Sequence, residues 1–115
     1  MRKNLPVTQR EIKMRKGGRL ITTTDLKGVI TYCNDEFVEI SGFSRDELVG
    51  QAHNIIRHPD MPQAVFKNMW DYLKAGKAWM GVVKNRAKSG DHYWVSAYVT
   101  PIRENGQMVG YESVR

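Results

Sequence analysis

Residues 79–114 read WMGVVKNRAKSGDHYWVSAYVTPIRENGQMVGYESV, and this stretch decides the fold. Three runs rich in β-branched and aromatic residues, Trp79–Ala87, Tyr93–Ile102 and Met108–Val114, are separated by turn chemistry. Lys88-Ser89-Gly90-Asp91 forms the first break. Glu104-Asn105-Gly106-Gln107 forms the second and contains Asn-Gly, the strongest short hairpin signal. Pro101 is expected near a strand end, where its missing donor does little harm. Three consecutive antiparallel strands follow from this. Before them, Phe66, Met69, Trp70 and Leu73 recur at i, i+3, i+4 and i+7, with Pro62 suited to the first turn and Gly76 closing the helix.

Further out, Gln51–Met61 has no periodicity and carries His53, Asn54, Arg57, His58 and Asp60. Ser44-Arg45-Asp46-Glu47 is a capping box that opens a brief helix ended at Gly50. Asp35–Ser41 is a short helix ended by Gly42. Arg19–Thr24 and Val29–Cys33, joined at Asp25-Leu26-Lys27-Gly28, read as a hairpin. The expected class is therefore α+β, a five-stranded antiparallel sheet with short helices and one longer helix on one face. A ligand cavity is expected between sheet and helices.

The chain has 115 residues, 41% of them apolar, which suits one globular domain. No apolar stretch is long enough to span a bilayer. Cys33 is the single cysteine, so an intramolecular disulfide and a multi-cysteine zinc site are both impossible, and a reducing, cytoplasmic setting fits. The net charge of +6 is local. Residues 1–20 hold seven basic side chains against Glu11, whereas the eleven basic and eleven acidic side chains of 21–115 cancel. Residues 1–18 are expected to form a basic arm, read as a solvated tail, ahead of a domain at 19–115. The arm lacks the apolar core of a signal peptide. No aromatic residue interleaves its cations, which argues against nucleic acid as a partner.

Asn34-Asp35-Glu36-Phe37, Ser41-Gly42-Phe43-Ser44 and Glu47-Leu48-Val49-Gly50 resemble the entry of a PAS domain. His53-Asn54-Ile55-Ile56-Arg57-His58-Pro59-Asp60-Met61-Pro62, then Val83-Lys84-Asn85-Arg86 and Gly90-Asp91-His92-Tyr93-Trp94-Val95, are similar to the sensor domains of aerotaxis receptors. The likeness runs from about Thr23 to Arg115. It implies a PAS fold holding FAD non-covalently and reporting redox state, and oxygen indirectly, in chemotaxis. It further implies a HAMP or other signalling module downstream in the same receptor, a homodimer as one possible assembly, and contact with the inner membrane only through the full-length receptor. On this reading the chain is a domain excised from a longer transducer.

Alternation along a strand places Trp79, Gly81, Val83 and Asn85 on one face. Trp79 and Val83 then pack a ring, Gly81 leaves room for it, and the Asn85 amide matches its polar edge. Arg57 and His58, before the helix that starts near Pro62, suit a diphosphate. Asp60 is expected to cap that helix, to orient one of those two residues, or to face adenosine. Trp70, His53 and Asn34 complete the candidate FAD-binding set of Asn34, His53, Arg57, His58, Asp60, Trp70, Trp79 and Asn85.

Each has an ordinary structural alternative: a core Trp, a turn Asn, a cap, a surface ion pair. His53 and His58 are five apart, and no HExxH is present, which argues against a metal. Haem, with His58 as the axial ligand, is the rival cofactor, and a cofactor-free interaction module is the rival function. Photochemistry of the light-oxygen-voltage type needs a cysteine where the chain reads Asn54-Ile55-Ile56-Arg57. No nucleophile with a base and no phosphate loop is legible, so the expectation is a sensor and not an enzyme.

Overall fold

The computed structural model describes residues 4–13 and 17–115. Strands β1 (Ile21–Asp25), β2 (Ile30–Cys33), β3 (Trp79–Arg86), β4 (His92–Glu104) and β5 (Gln107–Val114) form one sheet in the order β2-β1-β5-β4-β3. Every pairing is antiparallel. Between β2 and β3 come α1 (Asp35–Ser41), α2 (Arg45–Leu48), a 3₁₀ turn (His53–Ile56) and α3 (Gln63–Lys74).

Local chemistry explains the elements. Asn105 and Gly106 have φ of 52° and 80°, the pair of positive values that a tight hairpin between β4 and β5 requires. At α2 the Ser44 hydroxyl accepts from the Glu47 N–H at 3.2 Å, and the Glu47 carboxylate accepts from the Ser44 N–H at 2.9 Å. Asp25 closes the β1–β2 turn by accepting from the N–H groups of Lys27 and Val29. β4 runs three residues past Pro101. β3 pairs with β4 only as far as Val99, so beyond it β4 has a partner on one side only and the missing donor is tolerated.

One face of the sheet packs against the helices through Phe37, Leu48, Ile55, Leu73, Val83, Val95 and Tyr93, all buried. Each of the aliphatic and phenylalanine side chains contributes about 1.5–3 kcal/mol on leaving water. On the other face Met80, Val82, Trp94 and Tyr98 are exposed.

The arm is the main departure from the sequence reading. Its described residues lie along the start of β4: Thr8 N–H donates to Gly90 at 2.9 Å, Ile12 N–H to His92 at 2.7 Å, and His92 N–H to Arg10 at 3.0 Å. Arg86 Nε reaches the Pro6 carbonyl at 2.9 Å, and Asn4 is buried. Thr8, Arg10 and Ile12 are thus held by backbone hydrogen bonds, which a polar segment can make without any hydrophobic periodicity, and Asn4 and Pro6 by side-chain ones. Arg2, Lys3, Arg15 and Lys16 of the basic arm lie outside the described residues.

Candidate functional site

The helical face of α3 shows why a cavity exists. Phe66, Met69 and Trp70 remain only half-buried although they face the sheet, because they roof a space that no side chain fills. That space is about 270 Å³, just below the roughly 300–1,000 Å³ of small-molecule sites. Its floor is the inner sheet face, with Thr22, Val83, Ala97, Val99, Tyr111 and Ser113. The 3₁₀ turn and the residue after it supply His53, Asn54, Ile56 and Arg57 as one wall.

Of the expected residues, the structure brings His53, Arg57, Trp70, Trp79 and Asn85 together on this cavity. Alternation in β3 carries Trp79, Val83 and Asn85 to the buried face. Arg57 and Asn85 are joined by an isolated antiparallel bridge, so two segments distant in sequence meet there. The Arg57 guanidinium lies 4.0 Å above the Phe66 ring, a cation–π contact, and burial lowers its pKa. Trp70 meets Tyr111 edge-on with ring centroids 5.4 Å apart. Trp79 Nε1 donates to Asn68 on α3 at 3.0 Å, while its ring lies over Gly81. A Cβ at Gly81 would collide with that indole, so the room expected there for a ligand ring is taken by Trp79 itself.

Three residues sit elsewhere. Asn34 caps α1: its Oδ1 accepts from Phe37 N–H and Ile21 N–H, each at 3.1 Å, and its Nδ2 donates to Arg19. His58 is 1% exposed yet is not on the cavity wall. Its Nδ1 accepts from Asp60 N–H at 3.1 Å, and its ring meets His92 edge-on with centroids 6.1 Å apart. Asp60 does not cap α3, where no side-chain cap bond is made. It bonds Lys84 at 2.9 Å, which lowers its pKa, and lies exposed on the outer side. The physical reason is extended backbone: Arg57 has ψ of 126°, and successive side chains of such a segment point to opposite sides.

The sequence reading missed Asn54 and Arg115. Arg115 follows β5, pairs with Leu20 through two backbone hydrogen bonds, and lines the cavity floor. Its Nη2 lies 2.8 Å from His53 Nε2, which Thr22 Oγ1 also approaches at 3.0 Å. Arginine can only donate, so His53 Nε2 accepts and the ring is neutral with its proton on Nδ1. Burial, and then the Arg115 charge, pull the His53 pKa down to about 3.

Among the described residues, four polar atoms of cavity residues are buried without a partner: Asn54 Oδ1, Arg57 Nε, Asn85 Nδ2 and Arg115 Nη1. Leaving such a group unpaired costs about 1–3 kcal/mol, and a polar-edged occupant would offset that cost. Among the described residues no group of three or more His, Cys, Asp or Glu side chains could hold a metal ion.

Comparison with known proteins accounts for this arrangement. The PAS fold family model matches residues 30–115. The chain belongs to the PAS fold family. It is 50% identical over 109 residues to the aerotaxis receptor of Escherichia coli K12, covering 95% of this chain and 22% of that protein. A match of that extent runs into the N-terminal arm, further than the likeness legible from Thr23. The nitrogen fixation regulatory protein of Klebsiella pneumoniae is 30% identical over 82 residues, 71% of this chain and 17% of that protein. The chain thus spans about a fifth or less of these curated relatives.

Among solved structures, the PAS domain of a Colwellia psychrerythraea protein superposes with a TM-score of 0.75 at 27% identity, covering 84% of this chain and 82% of that one. A light-oxygen-voltage domain studied with a flavin analogue gives 0.78 at 19% identity, over 86% and 76%, a likeness of fold alone. The PAS domain is accordingly a sensor-type module related to domains of signalling receptors.

Proposed function

We propose that this PAS domain binds FAD in the cavity under α3 and reports its redox state to a signalling module of a longer receptor. The observation that carries the reading is the pairing of an apolar, aromatic-walled cavity with four buried polar atoms that lack partners. Trp70, Trp79, Val83 and Phe66 suit a flat apolar ring, and Asn54, Asn85 and Arg57 offer an acceptor and donors to its polar edge. A cavity of about 270 Å³ suits the ring system and not a whole dinucleotide, so the diphosphate and adenosine belong outside it. Flavin supplies electron transfer; the protein binds the ring, excludes water and sets its electrostatics.

The 50% identity to an aerotaxis receptor supports aerotaxis as the setting, with a HAMP-type module, an inner-membrane receptor, a cytoplasmic location and a non-enzymatic output as parts of the same proposal. The exposed sheet face, with Met80, Val82, Trp94 and Tyr98, is available to such a module. Haem finds less support, because His58 is off the cavity wall and His53 Nε2 is already engaged by Arg115 and Thr22.

The test is an absorption spectrum of the purified chain, then denaturation and chromatography of what is released. Flavin bands that bleach with dithionite, with FAD in the supernatant, are expected. A protein that stays colourless after incubation with FAD would sink the proposal and leave a cofactor-free PAS interaction module.

A further inference from the structure

The charge of the cavity carries a consequence for the form of ligand it prefers. Lys27, Arg57 and Arg115 line it, and among the described residues no aspartate or glutamate does. Lys27 belongs to the β1–β2 turn and is exposed, and Arg57 has the Phe66 ring beneath its guanidinium. Among the described residues Arg115 makes no ion pair. Its guanidinium stands 5.2 Å from the Phe37 ring centroid and donates to a histidine that is neutral. Tyr93, within its electrostatic reach, is also neutral, since burial pushes the phenol's ionisation up. Arg115 Nη1 is buried without a hydrogen-bond partner. Burial draws the Arg115 pKa down to about 10, which leaves the group charged at neutral pH.

An uncompensated cation beside an apolar cavity is costly, and the cost is relieved by negative charge on whatever fills the space. Arg115 and Thr22 line the β1–β5 side of the cavity, so a ring seated with its N1–C2 edge on that side brings its negative charge beside the guanidinium. The geometry points to Arg115 as the residue that makes this cavity select negative charge on the buried ring of its ligand, with His53 a positioning residue that holds the guanidinium in place. Thr22 and Phe37 complete the hold, one sharing the His53 nitrogen and the other lying against both His53 and Arg115. This inference rests on the flavin reading.

Sulfite is the probe. Its sulfur lone pair forms a bond to N5 of oxidised flavin, the N5–C4a π pair moves through the conjugated ring to the N1–C2 carbonyl region, and no oxidant or reductant is consumed. The adduct's ring carries a negative charge, so sulfite affinity reports how strongly the cavity favours it. The chain loaded with FAD is titrated with sulfite and the loss of the blue absorption band is followed. An opposite charge within about 4–6 Å shifts an ionisation by about one to three units, so Arg115→Gln should weaken sulfite binding about ten-fold or more. Arg115→Lys should stay within about three-fold of the parent, since the charge is kept. His53→Gln retains an acceptor for Arg115 and should resemble the parent, whereas His53→Leu should weaken sulfite binding.

Arg115→Gln that holds FAD and binds sulfite like the parent overturns the inference and leaves the flavin reading intact. A parent chain that holds no FAD overturns both. Should Arg115→Gln fail to fold, the parent alone decides, through its midpoint potential measured against pH beside free FAD. The break marking ionisation of the reduced ring is expected at lower pH in the protein. A break at the same or higher pH overturns the assignment.

Discussion

Arg57 and His58 are neighbours in sequence with opposite fates. Arg57 turns inward, meets Phe66 and Asn85, and keeps a buried Nε without a partner. His58 turns outward, takes the Asp60 N–H, and packs against His92 where the arm joins β4. The backbone between His53 and Met61 therefore has a ligand side and a structural side. Residues lining the cavity keep polar atoms unpaired, whereas groups paired toward the arm hold the wall that carries them. If this division is right, changes on the inner side move ligand affinity with little effect on stability, and changes on the outer side do the reverse.

The largest effect is expected on the outer side. His58→Ala removes a fully buried ring and the acceptor of the Asp60 N–H. It should cost about 2–4 kcal/mol of unfolding free energy, read by urea denaturation. FAD affinity of the folded fraction should change by no more than about two-fold, within the scatter of an indirect effect. Loss of FAD binding from a variant that remains folded would place His58 on the ligand side. Arg57→Met is the matching inner change. It keeps an apolar stem against Phe66 but removes the unpaired donor and the charge, and should weaken FAD binding about ten-fold to a hundred-fold in calorimetry of the apoprotein. A stability loss as large as that of His58→Ala would break the comparison.

Much of this architecture was legible because its signals are local. The hairpin at Asn105-Gly106, the capping box at Ser44 and the alternation Trp79-Gly81-Val83-Asn85 each depend on residues a few positions apart. The division of the 53–61 segment was not legible. It has no periodicity, so adjacent Arg57, His58 and Asp60 read as one anion-binding cluster until backbone geometry separated them. Arg115 was missed because its partner His53 is 62 positions away and nothing around a strand-end arginine marks it as inward-facing. The attachment of the arm was missed because most of it runs through backbone groups, which every polar sequence carries, and the Asn4 side chain reaches partners 50 and 53 positions away.

Acid provides the next test, of somewhat smaller size. His53 is neutral in the folded chain, with a pKa near 3 against 6.5 when unfolded. Below pH 6.5 the unfolded state binds the proton that the folded state refuses, so stability falls as pH drops from 6.5 toward 3. At pH 5 the loss from this group is about 2 kcal/mol relative to pH 7.5, at 1.36 kcal/mol per unit. His58, also lowered by burial, adds in the same direction. His53→Gln should flatten the stability profile of the apoprotein between pH 7.5 and 5. An unchanged slope would mean that His53 is not held neutral beside Arg115.

Asn4 gives the smallest effect and the sharpest comparison, because it belongs to the arm yet bonds the backbone of residues on the ligand side. Its Nδ2 donates to the carbonyls of Asn54 and Arg57, at 2.9 and 2.7 Å, and so ties the arm to the very residues whose side chains face the cavity. Asn4→Ala should cost about 1–2 kcal/mol in thermal or urea unfolding, the sum of two modest hydrogen bonds. The question is whether FAD affinity follows. With the wall held independently by the Arg57–Asn85 bridge and by the N–H groups of Ile55 and Arg57 within the 3₁₀ turn, affinity should fall by less than about three-fold, well short of Arg57→Met. A fall as steep as that of Arg57→Met would show that the arm holds the wall in its binding shape. The two sides of the segment would then be one mechanical unit, and occupancy of the cavity would strengthen attachment of the arm by the same factor, because such coupling is reciprocal.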